Sequence, residues 1–168
     1  MLGADQHRGA DSTVDQAPLP WLLIIAAVLL SLLAAIWPLP FWARWIRPEW
    51  VAMLVIYWVI DSPFRLGMLF AALLGLALDS LEGVLLGQQT IGLIVVAYVT
   101  FLFHTRIRLA SSVEQCCAVF LLVLLFELLE YWVVGMTGGG YFSVAMMLPA
   151  LSSALLWPFF KLAISHFR

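Results

Sequence analysis

Residues 48–79 read PEWVAMLVIYWVIDSPFRLGMLFAALLGLALD, and the interpretation of this stretch decides how many helices the chain has. Two apolar halves flank the polar turn sequence Asp-Ser-Pro. A helix needs about 20 residues to cross about 30 Å of hydrocarbon, so each half is short for one crossing and both together are long for one. Because Pro63 interrupts a helix and Asp61 and Arg65 flank it with charge, the stretch predicts two helices and a tight turn.

Four further apolar segments extend this pattern, at about residues 20–37, 90–103, 113–136 and 144–165. Together they predict an all-α polytopic membrane protein with a bundle of six transmembrane helices. The runner-up has five spans, with residues 48–79 as one long helix. That alternative buries Asp61 and Arg65 in lipid, where charges at the bilayer centre cost about 2.5–3.5 kcal/mol each.

The composition agrees with a membrane domain at residues 20–168. Of the 168 residues 64% are hydrophobic and 11% are charged, against roughly half and a quarter in soluble domains. Residues 1–19 are expected to form a disordered cytoplasmic tail. The eight basic residues are scattered, which argues against nucleic-acid binding, and no His or Cys spacing predicts a metal or another cofactor.

Charge bias orients the six predicted spans. With both termini in the cytoplasm, most basic residues lie inside: Arg8, Arg65, Arg106, Arg108, Lys161 and Arg168. Residues 104–108 are expected to form a short basic cytoplasmic loop. The five-span alternative, with the N-terminus outside, satisfies the charge rule equally well.

Three runs of sequence resemble the MreD family of Gram-negative bacteria: IRPEWVAMLVIYWVIDSPFRLG, GLALDSLEGVLLGQQTIG and PALSSALLWPFFKL. The shared elements are an Arg-Pro-x-Trp-Val entry, a Tyr-Trp pair, an Asp followed by Gly and Leu-Gly, and a late Trp-Pro. The resemblance covers about residues 20–168. That family is similar in fold to the six-helix substrate-binding subunits of energy-coupling-factor transporters.

The resemblance implies a non-catalytic scaffold of the elongation (rod) complex in the bacterial inner membrane. The partner it implies first is MreC, followed by RodA, the elongation-specific penicillin-binding transpeptidase, MreB and RodZ, with membrane lipids around the bundle and a homodimer also compatible. The alternative function is a small-molecule-binding membrane subunit of a transporter, which would need a cavity with convergent polar groups. A membrane hydrolase would need a nucleophile and a base, which the sequence does not present together.

Gly67, Ala71, Gly75 and Asp79 recur every four residues and so share one stripe of the predicted third helix. Small residues at that spacing allow close helix packing. The stripe therefore serves either packing within the chain or docking of a partner's helix. On this basis Leu at Gly75 should be disruptive and Ala mild. Asp79, next to a glycine-rich turn, is expected to bond backbone amides of that turn.

Glu127 and Glu130 lie three residues apart inside an apolar run. Carboxylates in lipid are costly, so they should face the bundle, a cavity or a partner. Their expected roles are an internal network or a partner or ligand contact, ahead of catalysis. In the last segment, Pro149 and Pro158 are expected to interrupt the helix. Ser152 and Ser153 are suited to bonding polar groups locally or on a neighbouring helix.

Overall fold

The stretch at residues 48–79 folds into two helices that are separated after Asp61. The computed structural model describes residues 21–38, 40, 46–63, 67–136, 138 and 147–166. In these ranges the regular structure is helical: α1 (Trp21–Ile36), α2 (Trp50–Asp61), α3 (Met68–Glu82), α4 (Gln88–Leu109), α5 (Ser112–Met136) and α6 (Met147–His166). The all-α class and the six helices are confirmed, and the single long helix is wrong. The predicted tail at residues 1–19 lies outside the described residues.

Helix α2 is the centre of the bundle. Nine of its twelve residues are buried, and it contacts each of the other five helices. A helix that is apolar on every face is expected to be enclosed by protein. At about 1.5 Å per residue its twelve residues extend about 18 Å. This is less than the hydrocarbon thickness of about 30 Å that a lipid-facing transmembrane helix crosses.

Three helices are long and apolar enough to cross a membrane, namely α4, α5 and α6. Helices α1 and α2 are apolar but shorter. These lengths, together with the apolar side chains exposed along the bundle, fit a membrane protein. Leu22, Leu69, Leu155 and Leu162 are among those exposed side chains.

Hydrogen bonds between helices show that neighbours run in opposite directions. Gln88 at the start of α4 bonds Glu130 late in α5, and Gln115 early in α5 bonds Lys161 late in α6. The bundle therefore has two ends of opposite character. We call one the acidic end (Glu49, Asp79, Glu82, Glu127 and Glu130, with Arg47) and the other the basic end (Arg106, Arg108 and Lys161, with Asp61 and Glu114).

Two local predictions are wrong. Residues 104–108 belong to α4 rather than to a loop, because α4 continues to Leu109. Arg106 and Arg108 lie in its last turn, where positive charges interact favourably with the helix dipole and so stabilise the helix. Pro149 does not interrupt α6, because it lies in the first turn, where backbone N–H groups have no helical partner. Pro158 lies inside that helix but does not interrupt it either, because α6 continues to His166.

The small-residue stripe of α3 faces α4. Ala71, Gly75 and Asp79 are buried, whereas Gly67 precedes the helix as its N-cap residue. A Cβ at Gly75 would overlap the Cα of Thr90 and lie 3.0 Å from its Cβ. The stripe therefore packs against another helix of the same chain, and α4 occupies the face that a partner's helix would need. The expectation that Ala is mild at Gly75 is wrong, because the clash is with backbone.

We predict that Gly75→Ala lowers the free energy of unfolding by about 1–3 kcal/mol, the usual range for overpacking. Gly135→Ala in α5 is the matched control, since a Cβ there meets nothing within 4 Å. The measurement is the unfolding temperature of each variant purified in mild detergent. Equal unfolding temperatures for the two variants would contradict the close approach of α3 and α4.

Candidate functional site

The Asp79 carboxylate, at the end of α3, binds the start of α4. It accepts hydrogen bonds from the backbone N–H groups of Gly87 at 2.8 Å, Gln89 at 2.8 Å and Thr90 at 3.4 Å. The Thr90 hydroxyl donates a fourth bond at 2.6 Å. Asp79 is fully buried, so these bonds replace the water that it has lost.

The first turn of a helix leaves N–H groups without helical partners, and an Asp side chain usually satisfies one or two of them from the N-cap position. Here the N-cap residue is Gly87, which has no side chain to do so. The carboxylate comes instead from the preceding helix. The turn between them needs glycine at two places, because Gly83 and Gly87 have φ values of 65° and 103°, a region that residues with a Cβ disfavour.

Two further carboxylates hold the polar start of α4. Glu82 accepts a hydrogen bond from the Gln89 side chain at 2.6 Å and lies 3.9 Å from the Arg47 guanidinium. Glu130 accepts a hydrogen bond from the Gln88 side chain at 3.0 Å. The sequence Gln-Gln-Thr at the start of α4 thus connects α3 with α5.

Apart from Asp79, Glu127 has the smallest exposed fraction among the acids of the acidic end, with 6% of its surface exposed. Glu130 follows it on the same face of α5, and Glu49 interacts electrostatically with both. Burial raises the pKa of Glu49 well above its usual value, and the negative charges of Glu127 and Glu130 raise it further, while Arg47 lowers it. In the part of the chain that the structure describes, the side chains of Glu127 and Glu49 form no hydrogen bond.

The two serines of α6 have different partners. The buried Ser153 hydroxyl accepts a hydrogen bond from the Glu49 backbone N–H at 2.9 Å, which ties α6 to the residue that precedes α2. Ser152 donates to the carbonyl oxygen of Pro149 in its own helix at 2.9 Å. Ser153 therefore joins the acidic end to α6, whereas Ser152 acts locally.

The structure brings together most of the residues singled out from the sequence. Asp79, Glu127, Glu130 and Ser153 belong to the acidic end, and Gly75 lies just below it against Thr90. Gly67, Ala71 and Ser152 do not contribute polar contacts to it. Sequence reasoning missed Glu49, Gln88, Gln89 and Thr90, although a polar triplet directly after a glycine turn was a readable signal.

The acids of the acidic end differ in how far the chain itself engages them. Asp79 and Glu82 are engaged by donors from the chain itself, whereas the carboxylates of Glu127 and Glu49 accept no hydrogen bond from the described residues. Within the described residues, no group of three His, Cys, Asp or Glu side chains is arranged to hold a metal ion.

Comparisons with known proteins agree on one family. Residues 16–166 match the family model described as rod shape-determining protein MreD. A curated rod shape-determining protein MreD from Haemophilus influenzae is 27% identical over 150 residues, which cover 89% of this chain and 93% of that protein. No solved structure matches the chain.

We predict that Asp79→Asn destabilises the protein by about 2–4 kcal/mol. An amide oxygen can serve fewer of the four donors, and the amide NH2 faces donors, so buried N–H groups lose their partners. The measurements are the unfolding temperature and hydrogen exchange at the amides of residues 87–90. Glu114→Gln, at an exposed site at the other end of the bundle, is the control and should stay close to the parent. Unchanged exchange in the Asp79 variant would show that the carboxylate does not hold this turn.

Glu49 makes stability depend on pH. Its folded pKa is raised, so its stabilising contribution is complete below the unfolded value of about 4.5 and is lost as the pH rises through the folded value. We expect the unfolding temperature to fall less between pH 5 and pH 8 in Glu49→Gln than in the parent. Glu114→Gln, at an exposed site at the basic end, is the control. An identical pH dependence in parent and Glu49→Gln would refute the buried environment of this carboxyl.

Proposed function

Because the chain belongs to the MreD family of rod shape-determining proteins, we propose that it is a membrane-embedded, non-catalytic scaffold of the elongation complex. Family membership gives it a role in rod shape determination. The proposed mechanism is to organise lateral peptidoglycan synthesis by holding MreC and the associated synthases together. RodA and the elongation-specific penicillin-binding transpeptidase are the proposed synthases, with MreB and RodZ as further partners.

We place the bundle in the inner membrane with all six helices crossing and both termini in the cytoplasm. The separation of charge supports this orientation, since the basic end carries Arg106, Arg108 and Lys161 and basic residues favour the cytoplasmic side. The acidic end then faces the periplasm. A reporter fused before Trp21 reads the sidedness of the N-terminus directly.

The buried Glu127 is the observation that supports a partner contact. It lies inside an apolar helix, and the ionisable groups that interact with it, Glu130 and Glu49, are acids rather than cations. Intramembrane acids usually face a partner group that compensates for their burial. A cationic side chain of a neighbouring subunit, inserted at the acidic end, would supply that compensation.

The alternative, a small-molecule-binding subunit of a transporter, is favoured by one feature. A cavity of about 270 Å³ opens at the basic end between α2, α4, α5 and α6. Its size is at the lower limit of small-molecule sites, which span about 300–1,000 Å³. The family match supports the scaffold over this alternative, because the family is one of rod shape-determining proteins.

The paired substitution Glu127→Gln and Glu130→Gln tests the proposed contact. Both amides still accept hydrogen bonds, including the one from Gln88, but they no longer attract a cation. We expect normal membrane abundance and unfolding temperature together with loss of rod shape and of co-purified MreC in a strain that depends on the variant. The matched control is Glu114→Gln at the basic end.

Normal shape and normal recovery of MreC in the paired variant would exclude an ionic contact at these residues. A fall in membrane abundance would instead assign the two glutamates to the stability of the bundle.

A further inference from the structure

A cavity at the basic end is built from the ends of four helices. Its volume is about 270 Å³, and both apolar and charged side chains line it. The apolar part comes from Tyr57, Ile60 and Trp157, and the polar part from Asp61, Arg108, Gln115 and Lys161. None of these residues belongs to the acidic end.

Gln115 fixes the polar side of the cavity. Its side-chain amide donates to the carbonyl oxygens of Ile107 at 3.1 Å and Ala110 at 3.2 Å, and its oxygen accepts a bond from the Lys161 ammonium at 2.9 Å. Because Gln115 is buried and bonded on both sides, it holds Lys161 in place. An ammonium has three donors, so Lys161 retains two for a ligand.

Arg108 supplies the second positive charge. It lies in the last turn of α4, and among the described residues it has no hydrogen-bond or ion-pair partner. Its five N–H donors suit the oxygens of a phosphate. With Asp61 as the acid at the cavity, the lining carries a net charge of +1 from two cations and one anion.

We propose that this cavity binds the phosphate of an anionic phospholipid, with Arg108 and Lys161 at the phosphate and with Ile60 and Trp157 against the glycerol and the first methylenes. A lining that combines charged and apolar side chains suits the boundary between a headgroup and its acyl chains. In the orientation proposed above, the basic end lies at the cytoplasmic surface, where anionic headgroups attract basic side chains. This site does not depend on the scaffold role proposed above.

The test uses the full-length protein in mild detergent, titrated with phosphatidylglycerol or with phosphatidylcholine of the same chains and read by native mass spectrometry. The test variants are Arg108→Gln and its combination with Lys161→Gln. Arg106→Gln is the matched control, since Arg106 shares the last turn of α4 but does not line the cavity. Arg108 is exposed, so its single variant should fold even if the double variant does not.

We expect the double variant to bind phosphatidylglycerol about ten-fold more weakly or worse, from the loss of two cationic contacts. Arg106→Gln should change the affinity for phosphatidylglycerol by less than about two-fold. The affinity of the test variants for phosphatidylcholine should likewise differ from that of the parent by less than about two-fold. Asp61→Asn should tighten phosphatidylglycerol binding, because it removes a repelling charge. Equal losses in the Arg106 and Arg108 variants, or full affinity in both the single and the double test variants, would overturn the site.

Glycerol 3-phosphate identifies the source of the phosphate. If millimolar glycerol 3-phosphate fails to displace phosphatidylglycerol from the parent protein, the lipid is the ligand and its acyl chains contribute to binding. Displacement that Arg108→Gln abolishes would keep the phosphate site but assign it to a soluble phosphate, which overturns the lipid part of the proposal.

Discussion

Backbone groups at the ends of helices must find partners inside a bundle from which water is largely excluded, and the rest of this structure depends on how they do so. Each unsatisfied group in such surroundings costs several kcal/mol. Asp79 serves the start of α4, Ser153 serves the residue before α2, and Gln115 serves the end of α4. In each case the partner lies on another helix, so one bond both completes a helix end and fixes how two helices pack.

This constraint explains why α2 can be short. A helix of twelve residues cannot hold both ends at the membrane surfaces, and its ends must therefore be met by protein. Ser153 does this at one end, while at the other the Ser62 N–H donates to the Trp58 carbonyl. With one backbone group bonded at each end in this way, α2 can be apolar on all faces and can serve as the core around which the longer helices α4, α5 and α6 are arranged.

The helices were predictable from the sequence because hydropathy and proline are local signals. The turn after Asp61 and the span at residues 113–136 were predicted almost to the residue. The contacts between helices were not predictable in this way: Glu49 and Ser153 are 104 residues apart, and no local pattern pairs them. The sequence predicts that another helix packs closely at Gly75. It does not predict that Thr90 is the residue in contact, because that depends on how α3 and α4 cross. The N-cap of α5 was missed although it was readable, since Ser111 and Glu114 form the capping box that their spacing predicts.

Accounting for the helix ends also separates structural acids from candidate functional ones. Asp79 looks functional in the sequence, as a buried acid beside a glycine-rich turn, yet four donors of the chain already engage it. Glu82 and Glu130 are bonded to Gln89 and Gln88. Glu127 differs from them because it is buried without a hydrogen bond to the described residues. The ionisable group that interacts with it, Glu130, is an acid rather than a cation. The fold itself does not satisfy this acid, and a subunit could approach it from the acidic end. A partner that supplied a cation there would therefore gain more binding free energy at Glu127 than at the acids that are already bonded.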